Sequence, residues 1–485
     1  MFVGGGFVFA KNNIDKYFSR LIIQLIDLSG GKHMKSKSDM LSGNAMKSIL
    51  LFSLPIMLSS LLQYNYSLVD NIIVGRYVST DALAAVGNVG AINSFIIGAA
   101  LGLTSGFTIP VAQAFGAGDK KRLNKYAGSS ITVAVLVGVV IVIAAHIVSR
   151  PLLRLIGTPD EIIDLSASYV NVLYLGVPFQ MLSNNFTAVS RAVGESKKPL
   201  YFFLVSVVVN FILDVLFVKY FDWGVKGAAW ATLISELTAS VLTGIYVLRF
   251  NRDINIKRSD LAFDKKTAWQ QIKLGIPVSL QFTITSIGSM CLQSAVNSFG
   301  ANVMAGFTAA GRVENLTNIP MSGLGVANQT FVGQNYGAKK YDRILKSVKE
   351  ILALDICISV VMSVTLYLIG EPVVSLFSSE VNAEMMHAAR QYIKATAQCY
   401  SMVAVLFVLR NSLQGMGFTY SNAIAGAGEL FGRIAVAFLF TPLIGFNAVC
   451  YAAPAAWFLA DIPLAVIYIR KAKEFKKISI KNETT

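Results

Sequence analysis

The chain is short of charge. Only 14% of its 485 residues are Asp, Glu, Lys or Arg, against roughly 25% in ordinary soluble domains, whereas 54% are hydrophobic and the mean hydropathy is +0.58. That shortage excludes an ordinary aqueous fold and places the chain in a bilayer. Histidine is scarcer still: His33, His146 and His387 are the whole set. None sits in HExxH or another ligand spacing, so metal or nucleophilic catalysis has no starting point and the chain does not read as an enzyme. A GxxxxGK[ST] loop is also missing, which removes nucleotide hydrolysis as an energy source. The four cysteines, Cys291, Cys357, Cys399 and Cys450, lie in apolar runs without CxxC spacing and read as small core residues.

What the chain does have is long apolar stretches and a duplication. A spanning helix needs about 20 mostly apolar residues, and about twelve such runs lie between residues 47 and 469. The alternation over about 10 residues that marks barrel strands is missing. The segment QAFGAGDKKRLNK at 113–125 returns as QNYGAKKYDRILK at 334–346, an offset of 221 that also carries Gly224 onto Gly445. Solenoid repeats run about 20 to 50 residues, so this period makes two halves instead. The expected fold is all-α integral membrane, with twelve transmembrane helices in two six-helix lobes. Six spans separate the copies, an even number, so both copies emerge on one side and the pseudo-two-fold axis runs along the membrane normal. Two such halves meeting at a midplane site are the build of a secondary transporter, one half rocking against the other. An ion gradient, H+ or Na+, must then drive it, and no cofactor is expected beyond that coupling ion.

The net charge of +15 does not indicate nucleic acid, because its placement follows topology. Lys120 to Lys125, Arg191 to Lys198, Arg249 to Lys266, Lys339 to Lys349 and Arg470 onward fall in alternate loops. By the positive-inside rule those loops and both chain ends are cytoplasmic. The expected location is a bacterial-type plasma membrane, with lipid and small molecules as partners and a monomer as the working unit. The expected organisation is an N-terminal extension at 1–45, a first lobe at 46–250, a cytoplasmic linker at 251–266, a second lobe at 267–472 and a tail at 473–485. The extension matches neither a signal peptide, whose apolar core would be longer, nor a span, and translation from Met34 would remove most of it.

Ionisable residues inside spans cost about 2.5 to 3.5 kcal/mol at the bilayer centre and mark function. Asp70 lies deep in the first run, with Tyr66 one turn and Gln63 two turns before it. Asn210 and Asp214 are four residues apart, hence on one helix face. Carboxylates, an amide and hydroxyls meeting in one lobe suit a proton or a hard cation such as Na+. Burial makes their charged form costly. Tyr, Phe and Met residues can line an adaptable cavity for organic cations.

At these residues the chain resembles the multidrug and toxic compound extrusion (MATE) family. The likeness covers roughly residues 46–472 and rests on three features: LPIMLSSLLQYNYSLVDNIIVGRYVSTDALAAVG, both Q-x-[FY]-G-A loops, and GVPFQMLSNNFTAVSRAVGESKKP with its N-x-x-x-D successor. The resemblance implies a two-lobed antiporter that exports organic cations and other drugs in exchange for H+ or Na+. It further implies an ion-coupling set of Asp70, Tyr169, Asn184, Asn210, Asp214 and Thr232, with Asp70, Asn210, Asp214 and Thr232 able to hold Na+. Pro55 matches the proline near which the first helix bends in some members. Gln63 and Tyr66, with Gln281, Thr285 and Ser289 from the second lobe, are the expected substrate-cavity residues.

The sequence departs from the family pattern in the second lobe. Thr285 occupies the slot, eight residues after Pro277, where several members carry an acid, and Val403 stands where a tenth-helix aspartate is expected. Coupling is therefore expected in the first lobe alone. The run SLQFTITSIGSMCLQSAVNSFG is similar to the MepA-like bacterial branch. Glu429 and Arg433 have the i,i+4 order of a helical ion pair. Glu236, Asp355 and Asp461 read as residues near helix ends or inter-helix hydrogen bonds, and Glu314 as a residue at a cavity mouth. The alternative of a lipid-linked precursor flippase would require a strongly basic cavity. A passive channel would not require paired acids, and a membrane-embedded enzyme would require clusters of His or acids that are missing.

Overall fold

A computed structural model of the chain describes residues 40–155, 158–375 and 382–483. The extension expected at 1–45, Met34 included, lies almost wholly outside the described residues. The first lobe comprises α1 (Ala45–Tyr77), α2 (Thr80–Phe107 continued by Ile109–Gly116), α3 (Lys120–Leu155), α4 (Asp160–Leu175 then Val177–Ala192), α5 (Lys197–Asp214) and α6 (Gly224–Ile245). The second comprises α7 (Lys265–Asn297), α8 (Ala301–Gly337), α9 (Tyr341–Ser375), α10 (Ala383–Gln398 then Tyr400–Gly415), α11 (Tyr420–Ala435) and α12 (Ala452–Glu483). Among the described residues nine helices are long and apolar enough to cross a membrane, and eleven if α4, bent by 42°, and α10, bent by 54°, each count once. The twelfth is α8. Its 37 residues give ample length, but Arg312, Glu314, Asn315 and Asn318 make it polar. The chain is thus a multi-pass membrane protein.

The duplication is visible in the backbone. Gly118 (φ 70°) and Lys339 (φ 58°) share a left-handed turn, as do Gly224 (φ 57°) and Gly445 (φ 62°); both pairs are 221 residues apart. α5 passes into a π-helical stretch at Val215–Tyr220, and α11 does so at Val436–Phe440, again 221 later. Val139, Val140, Ile143 and Ile147 of α3 and their equivalents Val360, Val361, Val364 and Leu368 of α9 are all exposed. Continuous outward-facing apolar stripes suit acyl chains rather than water. Cys357 lies exposed on the α9 stripe, so it faces outward instead of filling the core; Cys450 is buried. α1 begins at Asn44, whose side chain caps the helix by accepting from the Lys47 N–H at 3.0 Å, and it runs unbroken through Pro55.

The lobes meet along two seams. On the α2–α7 seam, a Cβ on Gly106 would come 2.2 Å from Gly275 Cα, one on Gly102 2.5 Å from Ser279 Cα, and one on Gly98 3.4 Å from Phe282 Cβ. Gly90 and Gly87 have nothing within 4 Å. The backbones touch near the repeated loops and part toward the other end. α1 and α8 behave alike: a Cβ on Gly323 would meet Met57 Cγ at 2.5 Å, while Gly311 has nothing within 4 Å. At the touching end the repeated loops interlock reciprocally. A Cβ on Gly116 would lie 1.8 Å from the Gln334 carbonyl oxygen, and one on Gly337 1.9 Å from that of Gln113. Gln113 Nε2 donates to Gly415 O at 3.0 Å, and Gln334 Nε2 to Ala192 O at 2.8 Å.

Candidate functional site

Between the parted helices lies a cavity of about 780 Å³, walled mainly by the first lobe. Gln63, Tyr66 and Asp70 all line it, because positions i, i+3 and i+7 share a helix face. From α4 come Tyr169, Gln180 and Asn184, and from α6 Thr232, Ser235 and Glu236. Tyr66 Oη and Ser235 Oγ are hydrogen-bonded at 3.2 Å, tying α1 to α6.

Asp214 and Asn210 sit directly behind this wall, 0% and 2% exposed. Asp70 adjoins both the Asp214 carboxylate and the Thr232 hydroxyl, and Asp214 adjoins Asn210. Tyr169 stands within electrostatic reach of Asp70, Asp214 and Glu236. The Thr232 hydroxyl donates its proton to Ala228 O at 3.0 Å, so what it turns to Asp70 is a lone pair. Oδ1 of Asp70, both carboxylate oxygens of Asp214 and Nδ2 of Asn210 are buried with no hydrogen-bond partner. Asp214 is also the last residue of α5 before the π-helical stretch, a distortion that recurs at functional sites. The group is thus oxygen-rich and acidic, and its donors suit a hard monovalent cation or a proton. Among the described residues no three His, Cys, Asp or Glu side chains converge as metal ligands.

Glu236, expected near a helix end or in an inter-helix hydrogen bond, makes such a bond from α6 to α4 and in addition lines the cavity. It accepts from Gln180 Nε2 at 2.8 Å, and its Oε2 lies 2.9 Å from where a Cβ on Gly176 would stand, at the bend of α4. Its spacing of four from Thr232 puts both on one face of α6 and was the signal available in the sequence. Arg191, assigned to a basic loop, instead occupies the last turn of α4 and lines the cavity.

The second lobe differs from expectation. Gln281, Thr285 and Ser289 are not among the residues lining this cavity; they face α11. A Cβ on Gly426 would touch Gln281 Cα at 3.1 Å, Thr285 Oγ1 donates to Glu429 Oε2 at 3.0 Å, and Arg433 Nη1 donates to Thr285 O at 2.9 Å and Ser289 Oγ at 3.2 Å. The reason is that α7 spends its other face on the glycine seam with α2, leaving this stripe to satisfy buried charges. Glu429 pairs with Arg410, not Arg433. Asp461 adjoins that pair. Glu314 is buried, accepting from Tyr392 Oη, rather than standing at a cavity mouth. Asp355 is 0% exposed with both oxygens unpartnered.

The family model described as MatE matches residues 55–216 and 277–439, the two lobes in turn. The probable multidrug resistance protein YoeA of Bacillus subtilis is 29% identical over 404 residues, 81% of this chain and 86% of that protein. A multidrug export protein MepA of Staphylococcus aureus is 24% identical over 408 residues, 84% of this chain and 89% of that one. A solved structure described as the outward-facing conformation of a multidrug resistance MATE family transporter superposes with a TM-score of 0.85. It is 23% identical and covers 92% of this chain and all of its own.

Proposed function

The chain belongs to the MatE family, and from that premise we propose that it is a cation-coupled antiporter in the plasma membrane. It exports lipophilic, mostly cationic drugs by alternating access of the cavity between its lobes. The multidrug names of YoeA and MepA support the cargo class. The observation that carries the coupling assignment is the oxygen contact at Asp70. This carboxylate adjoins a second carboxylate, Asp214, and a hydroxyl whose proton is already given to Ala228 O. Oxygens crowded in that way repel unless a proton or a small cation lies among them. A coupling ion, H+ or Na+, therefore binds best where this wall is closed, and a ligand moves the equilibrium only through such differential affinity. The interlocked loops 113–125 and 334–346 close one end of the cavity. With those basic loops cytoplasmic, the state described is the outward-facing one. Two acids and two arginines line the cavity, which does not favour a flippase for polyanionic lipids.

The test is dye efflux from proteoliposomes under separately imposed pH and sodium gradients. Asp70→Asn is expected to leave the protein folded and inserted but to abolish gradient-driven efflux. If the variant still pumps ethidium uphill at the normal rate, the coupling assignment fails.

A further inference from the structure

The stretches that enter α1 and α7 are each held by the opposite lobe. Ahead of α1, the consecutive carbonyls of residues 40–43 accept from side chains of the second lobe. Asn335 Nδ2 donates to Met40 O at 2.9 Å, Lys340 Nζ to Leu41 O at 2.7 Å, and Arg343 to Ser42 O at 2.6 Å and to Gly43 O at 2.8 Å. Met40 is 1% exposed. Ahead of α7, the linker lies on the first lobe, where the Asn255 N–H donates to Asn124 Oδ1 at 2.9 Å and Asp264 pairs with Lys125. The residues that hold the two stretches come from the two copies of the repeat, 334–346 in one case and 113–125 in the other.

The exchange continues into the helices. Ile49, Phe52 and Ile56 of α1 are 0%, 2% and 3% exposed and share one cluster with Phe331, Ile344 and Val348 of the second lobe. Further along the same helix, Ile73 and Val74 belong to the core of the first lobe. α7 is divided in the converse way. Its Ala268 lies in the core of the first lobe, and its Leu292 and Val296 lie in a cluster with Val436 and Val449 of the second. Gln271, 0% exposed, donates to Phe107 O at 3.0 Å and Tyr126 O at 2.8 Å, both in the first lobe. Between its two core segments α1 turns Ser59, Ser60, Gln63 and Tyr66 to the cavity. Parting the chain at residue 250 would therefore uncover Met40, Ile49, Phe52 and Ile56 and take the carbonyls of the entering stretch away from Arg343 and Lys340. A buried apolar cluster and charge-assisted hydrogen bonds resist separation together, whereas a polar helix segment beside a cavity has little packing to lose when it flexes.

We propose that the two moving bodies are exchanged relative to the order of the sequence. Residues 40–57 travel with α8 to α12, and residues 251–279 travel with α2 to α6. α1 and α7 are then crossing hinges, and the stretches ahead of them are straps that stay fastened throughout the cycle. Opening of the loop end breaks the contacts of Gly116 with Gln334 and of Gly337 with Gln113, while those of Gly106 with Gly275 and of Gly323 with Met57 persist. The inference rests on the alternating-access reading and specifies which residues move together.

The experiment is pulsed electron paramagnetic resonance of the full-length protein in lipid nanodiscs. Spin labels are placed in pairs at the exposed positions Lys47, Lys121, Lys266 and Lys346, on a background in which Cys291, Cys357, Cys399 and Cys450 are replaced. Lys121 with Lys346 spans the two repeated loops and reports opening. The equilibrium is driven by acid or alkaline pH, by Na+, by ethidium and by Gly116→Ala, whose added methyl would strike the Gln334 carbonyl. The Lys121–Lys346 distance is expected to lengthen while Lys47–Lys346 and Lys121–Lys266 keep their distributions. If either of those two pairs lengthens along with Lys121–Lys346, that helix moves whole with its own lobe and the exchange is overturned, although alternating access stands. If Lys121–Lys346 moves under none of these conditions, alternating access itself fails, and the exchange with it.

Discussion

At the scale of single residues, the buried ion pair between Arg410 and Glu429 is one that sequence spacing does not reveal. An i,i+4 pair on a helix contributes only about 0.2 to 0.5 kcal/mol, so the Glu429–Arg433 spacing is easily outbid once the fold brings Arg410 to the same carboxylate. Breaking a buried pair by removing one partner costs about 3 to 5 kcal/mol, because the other charge is stranded. Glu429→Gln is therefore expected to destabilise the protein by about 3 kcal/mol, the low end because Asp461 also adjoins Arg410. Thermal unfolding in detergent measures it, and an unchanged midpoint would mean that Arg410 is satisfied without Glu429. The positions of Asp70 and Asp214 were legible in the sequence because an acid in an apolar run is expensive and therefore conspicuous, and Asn210 through its spacing of four from Asp214. Glu236 was legible as an intramembrane acid, but its place in the cavity wall could be read only through its spacing from Thr232. Arg191 was hidden, because a basic residue beside Lys197 and Lys198 reads as part of a cytoplasmic loop until the helix is seen to include it.

At the scale of elements, twelve spans could be read from apolar runs alone, but the bends and the linker could not. α4 turns at Gly176, where there is no Cβ to meet the Glu236 carboxylate, and that contact is invisible to hydropathy. The stretch 251–266 reads as a polar strap, yet it is docked on α3. The Asn255 N–H donates to Asn124 Oδ1 at 2.9 Å, Thr132 Oγ1 donates to Leu261 O at 2.7 Å, and a Cβ on Gly128 would strike Asp260 O at 2.4 Å. Asp264 fastens its end by an ion pair to Lys125 and by accepting from the Thr267 hydroxyl at 2.6 Å. Lys125 first, then Thr267, hold the Asp264 carboxyl down from 3.8 to about 2. A group whose pKa is lowered on folding contributes above its unfolded value and loses that contribution as pH falls through the folded one. The docking is therefore expected to be indifferent to pH between about 5 and 8 and to weaken only below about 4. Hydrogen exchange of residues 255–264, corrected for intrinsic rates, checks this. Loss of protection between pH 7 and 5 would mean that another group fastens the linker.

At the scale of the whole molecule, the duplication is what makes two-sided access physically available. Equivalent segments from the two lobes meet across the pseudo-two-fold axis as Gly116 against Gln334 and Gly337 against Gln113, so one rigid-body motion makes or breaks both contacts together. Only a residue without a side chain fits at 1.8 Å and 1.9 Å from the opposing carbonyl oxygens. Because the obstacle is backbone, a methyl group there cannot be absorbed by a side-chain rotation. Overpacking of this kind costs typically about 1 to 3 kcal/mol, and the cost falls only on the state in which the loops interlock. A penalty confined to one of two states moves the population by roughly ten- to a hundredfold. Gly116→Ala is therefore expected to depopulate the state closed at the loop end while leaving each lobe folded. Spin labels at the exposed positions Lys121 and Lys346, one on each lobe, read the change as a shift of the distance distribution to longer values. Gly118→Ala is the control, since its Cβ would meet nothing within 4 Å and its strain is local. A distribution that moves equally in both variants, or in neither, would show that the interlock is not the gate. A shift in Gly116→Ala alone ties the two halves of the repeat to opposite sides of one moving seam.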